Sequence, residues 1–243
     1  MSLTYLTALP VYNEAIHVDQ VLDLVLEHCP DVLVVDDGSS DGTAERLARR
    51  SDVQVATHAT NRGYGAALLT AFEYAIAGDF DIVVTIDCDG QHEPERISSL
   101  VDALQLHNAD ILSGSRYLEI ADDTSRPPED RRRINVAVTE RLNAELGLEL
   151  TDAFCGFKAY RIAACQGLEF DVDGYEFPMQ FWVQAVANNL RIHEIPVRLI
   201  YNNPSRSFGG PLDDAEHRLE SYRATMHREF ARCAEKLGSL RGS

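Results

Sequence analysis

Short apolar runs rich in Val, Ile and Leu alternate, along the first half of this chain, with longer stretches whose apolar residues recur every third or fourth position. Side chains repeat every second residue on a strand and about every 3.6 residues on a helix, so the first pattern predicts strands and the second amphipathic helices. Strands are expected over residues 3–9, 32–35, 53–57, 81–86 and 111–113, and helices over 15–28, 42–50, 63–77 and 94–106. Strands this short, each followed by a helix, are what parallel β-α-β units require, because a parallel crossover needs a long connection. The first 115 or so residues are therefore expected to form an open, doubly wound sheet.

The pattern lapses over residues 119–133 into a polar, proline-containing loop, a length that usually serves function or stays disordered. A helix is expected over 134–146, strands over 157–160 and 192–200 flanking a helix over 177–188, and a long terminal helix over 213–237. No internal repeat and no linker-like segment divides the chain, so the reading is one α/β domain spanning residues 1–243.

In open sheets of this kind ligands bind beyond the carboxyl ends of the strands. That rule singles out Pro10–Glu14, Asp36–Thr43, Asn61–Gly65 and the stretch TIDCDGQHEP from Thr85 to Pro94, all polar segments after apolar strands or before helices. They should converge on one rim.

Composition narrows the picture. A chain of 243 residues with 45% hydrophobic content can bury a substantial core. A net charge of −17 opposes general nucleic-acid binding, which needs a phosphate-neutralising surface. No apolar stretch approaches the ~20 residues of a membrane span, and no basic segment precedes the first apolar run, so a cytoplasmic location is expected. The five cysteines are scattered without CxxC spacing, which suggests reduced, buried thiols and neither a disulfide framework nor a zinc site. Two lysines stand against twenty arginines, several in Arg126 and Arg131–Arg133, and arginine forks suit bidentate phosphate or carboxylate recognition as well as an ordinary solvated helix start.

Asp87 and Asp89, two residues apart, would project to the same side of an extended segment and can share a hard divalent ion; Gln91 adds another oxygen on that side. A strand-end turn built by Asp89 and Gly90 explains the same residues without an ion. Asp36 and Asp37 end the second strand, where carboxylates can accept hydrogen bonds from a base or a ribose, while Asp41 or Ser40 is placed to cap the next helix. Arg62–Ala67 resembles a dinucleotide fingerprint only superficially, since Leu68 stands at the third glycine and the segment does not follow the first strand. P-loop, GxSxG and HExxH motifs are absent from the sequence. His92 is either a base within reach of an acceptor hydroxyl or a structural residue opening a helix.

Taken together and in order, PVYNE, VVDDGSSDGT, NRGYGAAL, DCDGQHEPE, Gly114–Arg116 and DAFCGFKAYR (Asp152–Arg161) closely resemble family 2 glycosyltransferases of the GT-A fold, over about residues 4–200. Order and spacing are most similar to the dolichyl- or polyprenyl-phosphate mannosyltransferase branch. The resemblance implies a Rossmann-like GT-A domain, with a mostly parallel central sheet flanked by helices, a nucleotide-binding half over 1–115 and an acceptor-side half over 116–243. It implies that Pro10, Tyr12 and Glu14 contact the nucleotide with Asp36 and Asp37 near base and ribose. Asp87, Asp89 and Gln91 would hold Mg²⁺ or Mn²⁺ against the diphosphate, with Arg116 facing phosphates. The implied reaction is inverting transfer of a hexose, mannose from GDP-mannose, onto a polyprenyl or dolichyl phosphate. Alternatives are a UDP-sugar with a saccharide hydroxyl as acceptor, and a nucleotide-sugar-binding module without turnover.

The sequence departs from that pattern twice. Gln180 stands where relatives often carry a glutamate, with Glu176 as a substitute, and Phe208 stands where a lysine would meet phosphates, leaving Arg206 or Arg198 for that task. Asp89, Arg116 and Arg206 are thus the expected catalytic set. Arg126 and Arg131–Arg133 before an amphipathic helix would make a local, brief contact with the inner membrane face. Arg218, Arg223, Arg228 and Arg232 alternate with glutamates on the terminal helix, as on a solvated ion-paired face or a contact between copies of the chain.

Overall fold

The computed structural model describes residues 3–118, 129–198, 200 and 213–241. Seven strands form one sheet: β1 (Tyr5–Val11), β2 (Val32–Asp36), β3 (Gln54–Thr57), β4 (Ile82–Thr85), β5 (Ile111–Ser115), β6 (Lys158–Arg161) and β7 (Ile192–Pro196), in the order β3-β2-β1-β4-β6-β5-β7. All neighbours pair in parallel except β6, which runs antiparallel to β4 and β5.

Alternation along the strands sorts the core into two layers. Leu6, Ala8, Leu33, Val35 and Val83 face α3 (Tyr64–Ala77), α5 (Glu129–Leu146), α7 (Phe177–Ala187) and α8 (Ala215–Arg232). Leu9, Val11, Val32, Val34, Ile82 and Val84 face α1 (Val18–Leu26) and α4 (Ile97–Leu106). Every residue of β2 and β4 is buried, as expected for strands covered on both faces. Trp182 on α7 has no exposed surface, and its indole N–H reaches the Ala153 carbonyl at 2.9 Å, which satisfies the one polar atom of the largest core side chain.

The expected elements are present, with three corrections. The sheet does not close over the first 115 residues, because β6 inserts between β4 and β5 and joins both ends of the chain into one sheet. The terminal helix breaks at Cys233 into α8 and α9 (Ala234–Arg241). The helix expected from residue 134 starts at Glu129. Short helices α2 (Thr43–Leu47) and α6 (Ile162–Cys165) complete the set of α-helices among the described residues. All five cysteines are buried and none is in a disulfide.

Candidate active site

Because β1 to β4 run parallel and β5 follows β4 in direction, their carboxyl ends lie on one edge, and antiparallel β6 begins at that same edge. The four turns singled out in the sequence meet there. The first two are tied by hydrogen bonds from Asn13 N–H to Ser39 Oγ at 2.9 Å, from Ser40 N–H to Asn13 Oδ1 at 2.8 Å and from Glu14 N–H to Thr43 Oγ1 at 2.9 Å. Asn13 holds φ 57°, a left-handed conformation that asparagine tolerates better than most residues. Asp41 accepts from the Thr43 N–H and hydroxyl just ahead of α2, but Gly42 takes the N-cap position expected for Asp41 or Ser40; the Asp41 pKa is lowered: burial opposes this, and the Thr43 hydroxyl and nearby amides outweigh it.

Pro10, Tyr12, Glu14, Asp36 and Asp37 all stand on this rim. Tyr12 is 44% exposed, Glu14 is buried, and Asp36 takes the Ser39 N–H at 3.0 Å. Asp37 accepts from the Arg62 and Gly63 amides at 2.8 and 2.7 Å, joining the second turn to the third.

The fourth turn differs from its expected geometry. β4 ends at Thr85, and Cys88 and Asp89 lie in a turn closed by Gly90 at φ 69°, with the Gln91 N–H on Asp89 Oδ1 at 3.0 Å. Asp89 and Gln91 are therefore joined by a turn and do not continue the strand alternation from Asp87. Asp87 is half-buried beneath His92, whose Nε2 is 3.6 Å from Oδ2; the other imidazole nitrogen is buried without a partner. Across the β4–β6 pair Asp87 lies over Gly156, where an added Cβ would meet both carboxylate oxygens. Only glycine leaves that carboxylate its place.

Arg116 follows β5 and is held bidentately by Asp152, Nε to Oδ2 at 2.6 Å and Nη2 to Oδ1 at 2.9 Å. Asp152 is fully buried; burial alone would raise its pKa, and the adjacent guanidinium holds it below the usual value instead. Glu194 on β7 then accepts from the Thr151 and Asp152 amides at 2.7 and 3.1 Å, so three distant segments orient one arginine. Lys158, at the start of β6, is buried with its ammonium on the Cys155 carbonyl and 5.5 Å from the Trp182 ring; burial lowers its pKa. Cys155 beside it is pushed up by burial to about 11.

Gln180 does not face the rim. It is fully buried, accepts from the Asp171 and Val172 amides and donates to Asp171 and Glu229, which ties the 171–172 loop to α8. Glu176 accepts from the Ser221 hydroxyl at 2.5 Å. The loop they hold touches the start of α3 through Ala66 N–H on the Asp173 carbonyl, and Tyr175 stacks on Tyr64 with ring centres 5.9 Å apart. Arg198 N–H meets Glu93 at 3.3 Å, beside the fourth turn. Arg206 and Arg126 lie outside the described residues. On α8, Arg228 and Arg232 pair with Asp171 and Glu169 as a solvated face would, but Arg218 is buried.

Asp152, Gly156, Lys158 and Glu194 were not assigned roles from sequence. The first three lie inside the quoted DAFCGFKAYR motif, but Asp152 meets Arg116 36 positions away and Gly156 faces Asp87 from another strand end, and no spacing rule connects them.

Among the described residues no three His, Cys, Asp or Glu side chains group closely enough to enclose an ion alone. Asp87, Asp89 and Gln91 nevertheless fit a hard divalent cation that shares its shell with a ligand's phosphates: their donors are all oxygens, and the glycine opposite leaves the carboxylate room.

Comparison with known proteins bears on the family and the fold. The Glycosyl transferase family 2 profile matches residues 7–168. An undecaprenyl-phosphate mannosyltransferase of Micrococcus luteus is 31% identical over 221 residues, covering 86% of this chain and 90% of its own. A polyprenol monophosphomannose synthase of Mycolicibacterium smegmatis is 32% identical over 204 residues, covering 79% and 76%. In fold, the chain is similar to glucosyl-3-phosphoglycerate synthase from Mycobacterium tuberculosis, solved with Mn²⁺, UDP and phosphoglyceric acid, at a TM-score of 0.70 and 21% identity over 96% of this chain and 79% of that one. The chain belongs to glycosyl transferase family 2 and is a sugar-transferring enzyme of the GT-A fold.

Proposed function

We propose that this enzyme transfers mannose from GDP-mannose to a polyprenyl phosphate at the inner membrane face, with inversion at the anomeric carbon. The observation that carries the reading is that the turn bearing Asp87, Asp89 and Gln91 stands on the same sheet edge as an arginine fixed by a buried carboxylate. The two polyprenyl-phosphate relatives supply the substrate class.

In this reading Pro10, Tyr12, Glu14 and Asp36 take the nucleoside end of the donor. Asp87, Asp89 and Gln91 hold Mg²⁺ or Mn²⁺, which when bound neutralises the diphosphate leaving group. Arg116 spends Nε and Nη2 on Asp152 and keeps Nη1 for a phosphate oxygen. The acceptor phosphate is already ionised near neutral pH, so its oxygen attacks the anomeric carbon without a general base while the carbon–oxygen bond to the diphosphate breaks. Two observations support that choice of acceptor: Gln180 is buried and saturated, and Glu176 is engaged by Ser221. Arg206 is assigned to the acceptor phosphate by resemblance only.

The test is transfer from labelled GDP-mannose, UDP-glucose and UDP-N-acetylglucosamine, each with Mn²⁺ or Mg²⁺, into an organic phase containing polyprenyl phosphate. Extraction of label from GDP-mannose alone is the expected result. Label from a UDP-sugar corrects the donor, and metal-dependent donor binding without any lipid labelling points to a saccharide acceptor or a binding module. Asp89→Ala should abolish metal-dependent donor binding; unchanged affinity would sink the metal assignment.

A further inference from the structure

The third strand is followed directly by a histidine that none of the expected roles uses. His58 is buried between β2 and α3, with Nδ1 2.6 Å from Asp37 Oδ1 and Nε2 2.9 Å from Thr70 Oγ1. A carboxylate has no proton to give, so Nδ1 carries the hydrogen and donates to Asp37. The same carboxylate holds the Arg62 N–H on Oδ1 and the Gly63 N–H on Oδ2. Asp37 therefore receives three hydrogen bonds from inside the protein, whereas the carboxylate of its neighbour Asp36 accepts from the Ser39 N–H. The adjoining Gly38, at φ 72°, lies so near this turn that an added Cβ would stand 2.7 Å from the Asn61 nitrogen. The second and third turns are thus fitted to each other around one buried carboxylate.

We propose that His58 is a positioning residue of the donor pocket: held by Thr70, it fixes Asp37 on the Arg62 and Gly63 amides and so sets the shape of the nucleoside end of the cleft. Asp37 then acts as an internal clamp, and Asp36 is the member of the pair left for the nucleoside. This rests on the donor-site reading above and adds a residue to it. Loss of the clamp should loosen the 61–63 turn, which costs donor affinity while leaving the diphosphate end, on a different turn, to do its chemistry.

The experiment measures GDP and UDP binding with Mn²⁺ by calorimetry for the wild type, His58→Phe, His58→Asn and Thr70→Val, with melting temperatures and kcat for each. Asparagine places an amide N–H where Nδ1 stood and should keep the clamp; phenylalanine keeps volume and loses it. His58→Phe should weaken nucleotide binding about tenfold or more, as expected for a buried carboxylate losing a donor. His58→Asn should stay within about threefold of wild type, and kcat at saturating donor should change little in either. Equal affinity of His58→Phe and wild type, or equal losses in His58→Phe and His58→Asn, overturns the proposal. If His58→Phe does not fold, Thr70→Val carries the test through hydrogen exchange of the Arg62 and Gly63 amides: faster exchange with weaker binding supports the clamp, and unchanged exchange overturns it. A wild type that binds neither nucleotide overturns this inference together with the proposed function, and is recognised before any variant is made.

Discussion

On the nucleotide side of the rim carboxylates hold backbone amides, whereas in the second half of the chain carboxylates hold guanidinium groups. Asp36, Asp37, Asp41 and Asp89 accept from the amides of Ser39, Arg62, Thr43 and Gln91. Asp152 clasps Arg116 at the rim, Asp110 clasps Arg191 at the opposite edge where β5 and β7 begin, and exposed Asp171 pairs with Arg228. The first arrangement fixes the shape of loops and leaves them negative toward a cation. The second creates a held positive charge, and it joins segments 36, 57 and 81 positions apart. In the proposed reaction the first would receive the metal with the leaving group, and Arg116 would meet an anion.

The sharpest way to break this contrast is Asp152→Ala. It leaves a guanidinium at the rim without its buried partner, which costs about 3–5 kcal/mol of folding stability. Urea unfolding of Asp152→Ala, Arg116→Ala and the double variant should show strong coupling, with the double variant no worse than Asp152→Ala. Additive losses would mean that the pair is not a unit.

Next in size is Gly156→Ala, which acts on chemistry more than on folding. The new methyl group must displace Asp87 or the β6 end, and a shift of about 1 Å in a carboxylate that the proposed reaction uses to hold its metal should lower kcat/KM about a hundredfold. A variant with wild-type turnover would show that Asp87 has room to spare, contrary to the close approach seen here.

The same contrast explains how far the sequence could be read. Asp36, Asp41 and Asp89 act on amides two or three positions away, so turn chemistry in DDGSSDGT and DCDGQ is visible as spacing. The strands and most helices follow from local periodicity for the same reason. The antiparallel insertion of Lys158–Arg161 was not legible, because a four-residue strand carries no sign of its neighbours, and it is this insertion that brings Gly156 under Asp87 and Asp152 to Arg116. Gln180 is instructive in the opposite sense. Standing where relatives often carry a glutamate, it is turned by α7 into the core, where its amide ties two acidic residues to a loop.

That tie gives a smaller prediction. Gln180→Glu should not add a base; it replaces an amide donor by a carboxylate facing Asp171 and Glu229, at a cost of about 2 kcal/mol near neutral pH. Because a buried carboxylate beside other acids titrates above its ordinary value, the penalty should shrink as pH falls and the new group takes a proton. Raised turnover without loss of stability would restore the catalytic reading of this position.

The smallest effect belongs to the exposed end of the carboxylate–guanidinium pattern. Hydrogen bonds from Arg191 hold the Asp110 carboxyl below its ordinary value, partly opposed by burial. A folded value depressed below the unfolded one adds stability that is present above about pH 4 and lost as pH falls through the folded value. Asp110→Asn should therefore be less stable than wild type at pH 7, with the two acid-unfolding curves converging below about pH 4. Arg191 is half exposed, so solvent screens the pair and the gap should be well below that of Asp152→Ala. A gap as large as the one at Asp152 would mean that exposure of the arginine hardly weakens a carboxylate clasp, and the difference between a held charge at the rim and a surface pair would lose its physical basis.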